Sequence, residues 1–99
     1  MKFYFCRVYD GTFYLSGCTF QTLTDRILIK FLFMLYWDIH YNKITQILSK
    51  GGIIRIEYKN ATGTSFVEII TAFSINNDKL ESEIEKIGIP IQYYKNYRK

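Results

Sequence analysis

Aromatic and β-branched positions dominate both sides of Asp10-Gly11 in the N-terminal stretch KFYFCRVYDGTFYLSG. These flanks predict a β-hairpin, because Asp10-Gly11 is a favoured two-residue turn. With that turn, Cys6 lies opposite Leu15. Cys6 and Cys18 then point to opposite faces, which disfavours an intrachain disulfide unless a β-bulge shifts the register. One face carries Tyr4, Cys6, Val8, Phe13 and Leu15, and the other carries Phe3, Phe5, Arg7, Tyr9 and Tyr14. Because neither face is polar, we expect both to be covered.

The most apolar stretch of the chain, ILIKFLFMLYW (27–37), contains a single charge, at Lys30. Apolar residues in and around it recur at spacings of three and four, which is typical of a helix. No Pro or Gly interrupts the sequence from Thr22 to Lys50. Thr22 is a suitable N-cap, and two glycines after Lys50 can cap the C-terminus. The pattern predicts a helix of about 28 residues, roughly 42 Å long, unless it breaks around residues 38–42.

Two apolar stripes follow this predicted helix on nearly opposite sides. A helix that is apolar all round lies in a core, and a chain of 99 residues is too small to build that core alone. We therefore expect a homodimer, the alternative being that the second helix and the C-terminal segment cover the run. The predicted interface consists of Ile29, Phe31, Phe33, Met34, Tyr36, Trp37 and His40.

The second half of the chain predicts a hairpin, a short helix and a final strand. IIRIEYKNATGTSFVEIITAF forms two strands around a turn at 60–63, and NNDKLESEIEKIG forms an amphipathic helix with Leu80, Ile84 and Ile87 on its apolar side. IQYYK is compatible with a last short strand. The expected fold is α+β, with antiparallel β-hairpins packed on one long and one short helix (β-β-α-β-β-α, with or without a final short β). We expect one domain, 1–99, that ends in a short basic tail from about residue 93.

Composition and charge add one candidate binding segment. A hydrophobic fraction of 48% and an aromatic fraction of 18% indicate a globular chain. The net charge is +4, of which the last five residues supply three charges, so the rest lacks the basic stripe of dedicated nucleic-acid binders. Tyrosines interleaved with these cations can stack on bases and contact phosphates, or can instead pack on the body. The candidate nucleic-acid contacts are Tyr94, Lys95, Tyr97, Arg98 and Lys99, together with the aromatic face that carries Arg7.

Residues suited to catalysis or metal binding are sparse. One histidine and two cysteines without a CxxC pair match no common metal site. His40 lies on an apolar stripe, which favours a packed histidine over a catalytic base or a partner for a cysteine nucleophile. Glu57 and Glu68 are expected to be cross-strand neighbours balanced by Arg55, which makes a surface ion pair. We therefore expect no enzymatic activity, no cofactor and no metal.

No secretion signal or membrane-spanning run is evident from the pattern. Arg7 and Asp10 interrupt the N-terminal stretch, and the apolar run 27–37 is closed by Asp38, whereas a spanning helix needs about 20 apolar residues. We therefore expect a protein that does not span a membrane.

The stretches MKFYFCRVYDGTFYLSG and ILIKFLFMLYWDIHYNK, together with the basic tail, resemble small orphan proteins of filamentous viruses that infect hyperthermophilic, acidophilic archaea. The resemblance extends over the whole chain and carries no functional motif, so it assigns no site residue. It implies a compact, thermostable, dimeric α+β protein in the cytoplasm of a host cell. The expected function is a non-enzymatic homodimeric viral accessory protein that acts through protein–protein contacts, and the alternative is a nucleic-acid-binding module.

Overall fold

A computed structural model describes residues 4–32, 34–50, 53–71 and 74–94, which form one eight-stranded sheet and one α-helix. The strands are β1 (Tyr4–Tyr9), β2 (Tyr14–Thr22), β3 (Arg26–Phe31), β4 (Met34–His40), β5 (Ile44–Lys50), β6 (Ile53–Asn60), β7 (Gly63–Thr71) and β8 (Ile91–Tyr94). The helix α1 spans Ser74–Lys86, and a 3-10 turn at Tyr41–Lys43 joins β4 to β5. The strand order is β4-β3-β2-β1-β7-β6-β5-β8, with only β5 and β8 parallel among these neighbours.

The predicted long helix is wrong, because this part of the chain forms β3, β4 and β5. In β3, the completely buried Ile27 and Ile29 alternate with half-buried neighbours, which is the period of two that a strand imposes. Since nearly every position of 27–37 is apolar, the run satisfies helical spacing as readily as strand alternation. The chain is therefore nearly all-β, and the α+β arrangement on one long and one short helix is corrected accordingly.

The turn between β3 and β4 contains no glycine. Phe31 pairs with Met34, which leaves a two-residue loop, and Leu32 adopts a φ of 52° in that loop. Two-residue hairpin loops need positive φ and usually use Gly, Asn or Asp, whereas a bulky residue adopts it rarely. The sequence therefore lacks the signal that ordinarily marks a hairpin at this point.

The sheet curls, because five strands lie between β4 and β5, which puts them six strand spacings apart, yet only the three residues Tyr41–Lys43 connect them. In a flat sheet their separation would be roughly 29 Å at 4.8 Å per strand. The connection from His40 to Ile44 reaches roughly 14 Å at most. The two strands must therefore approach one another, which agrees with overall dimensions of 32 × 28 × 27 Å.

The inner face of the curled sheet holds the core, and α1 packs into it. The buried core residues are Cys6, Val8, Cys18, Phe20, Ile27, Ile29, Ile39, Ile47, Ile54, Ile56, Val67, Ile69, Leu80 and Ile84. The last two lie on α1, which confirms the predicted amphipathic helix, and Gly88 follows it with a φ of 93°. Ser49 on the inner side of β5 hydrogen-bonds the Glu81 carboxylate of α1. Among the described residues, no helix has the length and apolarity to span a membrane.

Both predicted hairpins are present, but the register of the first differs from the expectation. The second hairpin pairs Asn60 with Gly63, as predicted. In the first, Tyr9 pairs with Tyr14, so the loop has four residues instead of two. The Asp10 carboxylate closes this loop by accepting hydrogen bonds from the backbone N–H groups of Thr12 (2.9 Å) and Phe13 (2.7 Å).

A β-bulge completes the change of register in the first hairpin. The pairing shifts between Cys6 and Val8, opposite Ser16 and Gly17, and Gly17 has the left-handed φ of 78° that such a bulge uses. Cys6 consequently pairs with Cys18, so the predicted pairing with Leu15 is wrong. Both cysteines lie on the inner face as buried, free thiols.

Candidate functional site

The outer surface of β1 presents an aromatic–cation–aromatic row. Phe5, Arg7 and Tyr9 are exposed and alternate with the buried Cys6 and Val8. Phe5 is 67% exposed and Tyr9 is 36% exposed. Residues two apart on a strand lie roughly 6.8 Å from one another, so the three side chains form a continuous row in solvent.

Tyr14 of β2 extends this row sideways and is 56% exposed. It pairs directly with Tyr9, and the two rings meet edge to face with centroids 6.3 Å apart at 70°. We name Phe5, Arg7, Tyr9 and Tyr14 the aromatic face. Its members agree with the outer face that strand alternation predicts, apart from Phe3, which lies outside the described residues.

Phe66 of β7 supports the aromatic face from one side. Its ring centroid is 6.3 Å from that of Tyr9, and a Cβ at Gly11 would lie 3.2 Å from its Cζ. Gly11 has a φ of 94°, so the close approach and the backbone conformation both favour glycine there. The β1–β2 loop therefore lies close to the Phe66 side chain of β7, which also contacts Tyr9.

Arg55 beside Phe66 is already fully paired. Its guanidinium lies 3.8 Å from the Phe66 ring centroid and donates to Glu57 Oε2 and Glu68 Oε2, both at 3.0 Å. Arg55 therefore balances both carboxylates, as predicted, but its direct cross-strand partner is Glu68, and Glu57 pairs with Phe66. Gln46 donates to Glu57 at 2.7 Å, and this hydrogen bond, with that from Arg55, lowers the pKa of Glu57. One guanidinium is therefore shared between two carboxylates within the sheet.

Arg7, in contrast, forms no hydrogen bond or ion pair with any residue that the structure describes. A second cation lies on the same side of the sheet, because Lys30 pairs with Thr19 and Thr19 pairs with Phe5. Two strand spacings place Lys30 roughly 10 Å from Phe5. The aromatic face therefore combines exposed rings with a guanidinium that is free to take an external anion.

The residues of the predicted dimer interface occupy different environments in the fold. Ile29 is completely buried, so it is not available at any surface of the folded chain, and Phe31 and Trp37 are half-buried against the core. Met34 is 65% exposed at the start of β4. The other three members of the predicted interface are Phe33, Tyr36 and His40. Phe33 lies outside the described residues, the Tyr36 side chain is not described, and His40 ends β4.

The predicted nucleic-acid tail is only partly described. Tyr94 belongs to β8, where it pairs with Lys50, and its side chain is not described. Lys95, Tyr97, Arg98 and Lys99 lie outside the described residues. The strand therefore extends into the segment that the sequence assigns to the tail, since Tyr93 pairs with Ser49 as well.

His40 lies beside a surface ion cluster. Its Nε2 is 4.0 Å from Asp38 Oδ1, and Arg26 binds Asp38 Oδ2 and Asp25 Oδ1, both at 3.1 Å. The hydrogen bond from Arg26 lowers the pKa of Asp25. Within the described part of the chain, no three His, Cys, Asp or Glu side chains converge in a way that could hold a metal ion. The cluster is a surface ion-pair network in which Arg26 is shared between two carboxylates.

Strand alternation predicted the aromatic face, but it missed two features. The contact between Gly11 and Phe66 joins distant parts of the chain and leaves no local signal. The facing pair Cys6 and Cys18 depends on a bulge, for which Gly17 was the available sign. In comparisons with protein-family models, curated proteins and solved structures, nothing matches this chain.

Proposed function

We propose that this chain is a non-enzymatic protein that binds single-stranded nucleic acid on its aromatic face. The observation that carries the proposal is the free cation Arg7 between the exposed rings of Phe5 and Tyr9. Stacking of a base on an aromatic side chain contributes about 1–3 kcal/mol, and a guanidinium binds phosphate well. Exposed aromatic residues that adjoin one another usually mark an interaction surface.

The shape of the surface favours single strands over duplexes. The rings lie on the surface of a sheet, where splayed bases can stack on them, as sheet-based RNA-binding modules illustrate. Reading a duplex requires an element that enters a groove, and the aromatic face carries no projecting element. Among the described residues, Arg7 and Lys30 are the cations placed to contact the backbone of such a strand, so we expect a small electrostatic contribution.

Fluorescence anisotropy with a labelled strand of about 12 nucleotides, a length that one such site can accommodate, tests this proposal. We expect a Kd of roughly 1–100 µM, with log K falling by about 1.4 per decade of salt for two phosphate contacts. Arg7→Ala should lower that slope by about 0.7, and Phe5→Ala should weaken binding roughly 5- to 150-fold. Lys59→Ala removes another exposed cation, near the end of β6, and is the matched control. Equal effects of Arg7→Ala and Lys59→Ala would contradict the proposal.

Homodimer formation through β4 is a second candidate. β4 is an edge strand, and an edge strand presents unpaired backbone groups to another chain. Leu32 and Met34, at the same corner, are each 65% exposed. Two copies pairing their β4 edges around a two-fold axis would bring together Met34, Tyr36, Trp37 and His40, which belong to the predicted interface. The dimer proposed here therefore depends on pairing of strand edges, and no longer on the packing of apolar stripes of a predicted helix.

Light scattering coupled to size exclusion tests the dimer. We expect a mass of twice 11.8 kDa at roughly 100 µM, a concentration suited to weak interfaces. Met34→Lys should return the mass to that of one chain, because a charge on an edge strand opposes pairing. A single-chain mass for the unaltered protein at this concentration would exclude the dimer and would leave the nucleic-acid proposal untouched.

The biological setting is a proposal that rests on the sequence resemblance alone. In this proposal, the chain is a viral accessory protein that acts in the cytoplasm of its host. A protein that binds single strands suits that setting, because genomes pass through single-stranded states when they are copied or packaged.

A further inference from the structure

Cys6 and Cys18 face one another across the β1–β2 ladder. They are direct partners in the antiparallel register, they share the inner face, and they are 6% and 0% exposed. The Cys18 thiol contacts the Leu15 carbonyl oxygen at 3.6 Å. The pair lies beside the bulge at Gly17, where the ladder is locally interrupted.

This placement satisfies the geometric requirements of a disulfide. Directly opposed residues of an antiparallel pair have Cα atoms roughly 4.5 or 5.5 Å apart, and both separations fall within the roughly 4.4–6.8 Å range of disulfides. Cross-strand partners also project their Cβ atoms in the same direction. A small contraction of the Cβ–Cβ separation is enough to join the two sulfur atoms.

We propose that Cys6 and Cys18 are a disulfide site that cross-links β1 to β2 by exchange with a small-molecule disulfide such as oxidised glutathione. One cysteine thiolate attacks a glutathione sulfur, forms a mixed disulfide and releases one glutathione thiolate. The second cysteine thiolate attacks the cysteine sulfur of the mixed disulfide and releases the other glutathione. The two protons of the cysteines pass to the two released thiolates, so the protein dithiol is oxidised as one glutathione disulfide is reduced.

Burial makes this exchange slow in the folded chain. Desolvation, together with the nearby Cys18, raises the pKa of the Cys6 thiol to about 12, and desolvation also raises the pKa of Cys18. The reactive thiolate is therefore scarce at neutral pH. Exchange needs either a local opening of β1 from its neighbours or a chain that is still folding, and the disulfide, once formed, is protected by the same burial.

The cross-link acts on the strand that carries the aromatic face. Phe5 and Arg7 flank Cys6 directly, so the disulfide would hold these two outward side chains in register with β2. The disulfide would hold these side chains whether or not the aromatic face binds nucleic acid. A disulfide that closes a loop of this length typically stabilises a small domain, and we expect the melting temperature to rise by roughly 10 °C.

The test unfolds the reduced protein and refolds it with an excess of oxidised glutathione. Mass spectrometry should show a single chain that has lost two hydrogen atoms, with a Cys6–Cys18 cross-link in the digest and the higher melting temperature. The variants C6S and C18S should each gain one glutathione instead and show no increase of similar size. Two glutathiones on the unaltered chain, two remaining thiols, or a cross-link between chains would overturn the proposal.

A kinetic measurement provides a second, independent readout. With a thiol reagent added in excess to the reduced protein, both cysteines should react far more slowly under native conditions than in denaturant. Cross-linked protein should show no reactive thiol in denaturant until a reductant is added. Fast reaction in the native chain would contradict the role of burial, and thiols in denatured, unreduced product would show that no disulfide formed.

Discussion

Replacing Ile29 by Lys should abolish the folded state, whereas Lys at the adjacent Leu28 should leave it largely intact. Ile29 is completely buried on the inner side of β3 between Phe20 and Trp37. An unpaired ammonium there costs several kcal/mol in addition to the lost burial of the isoleucine. A small domain has about 5–15 kcal/mol of stability in all, so we expect a chain without a cooperative thermal transition.

Leu28 is the matched control because it occupies the other face of the same strand. It is half-buried and pairs directly with Asp38, so a lysine there reaches solvent and faces a carboxylate. We expect its free energy of unfolding to change by no more than about 1 kcal/mol. Circular dichroism during heating measures the thermal unfolding of both variants. If the two variants lose their folded structure equally, β3 is buried on both sides, which would contradict a strand with one buried face and one outer face.

The sequence predicts elements well where local chemistry decides the conformation. The turn 60–63 and the helix around Leu80 and Ile84 follow from a glycine-containing turn and from a polar helix with one apolar stripe. Both are present. Such segments combine a clear period with clear boundaries, so only one conformation fits them.

The run 27–37 could not be assigned in the same way, because it lacks both a period and a boundary. Its apolar residues face the core at Ile27 and Ile29 and solvent at Met34, and its turn contains Leu32 in place of a glycine. The charged residues of this segment are the positions that could have indicated a strand. Arg26 and Lys30 occupy the same side as Leu28, and this spacing fits an outward strand face as well as one turn of helix. The helix was wrongly favoured because the run is almost entirely apolar and because no Pro or Gly interrupts the longer segment around it.

The curled sheet also removes the need for a second chain to cover the apolar run 27–37. A helix that is apolar all round needed a second chain to cover it, whereas the curled sheet buries Ile27 and Ile29 against its own strands and against α1. The remaining case for a dimer depends on the exposed edge of β4. The aromatic face, in contrast, follows from alternation in β1 and survives the change of fold, because a shift in hairpin register leaves the alternation of side chains along one strand unaltered.

Removal of residues 91–99 should destabilise the protein strongly, whereas removal of residues 95–99 should have little effect. β8 adds four residues to the free side of β5, and Ile91 packs against the core beside Ile47. Loss of the ladder hydrogen bonds at about 0.5–1.5 kcal/mol each, and of the burial of Ile91, gives a loss of about 3–6 kcal/mol in total.

Thermal unfolding of the two truncated chains and of Ile91→Ala distinguishes the contributions. The shorter deletion leaves β8 (Ile91–Tyr94) in the chain, so we expect its melting temperature to stay within about 3 °C of the full chain. Ile91→Ala should account for about 1–2 kcal/mol of the larger loss, and the remainder belongs to the paired backbone of residues 91–94. Removing that backbone also exposes the β5 edge, so the longer deletion should self-associate at high concentration. If both deletions shift the melting temperature equally, β8 contributes nothing to stability, and the sheet ends at β5.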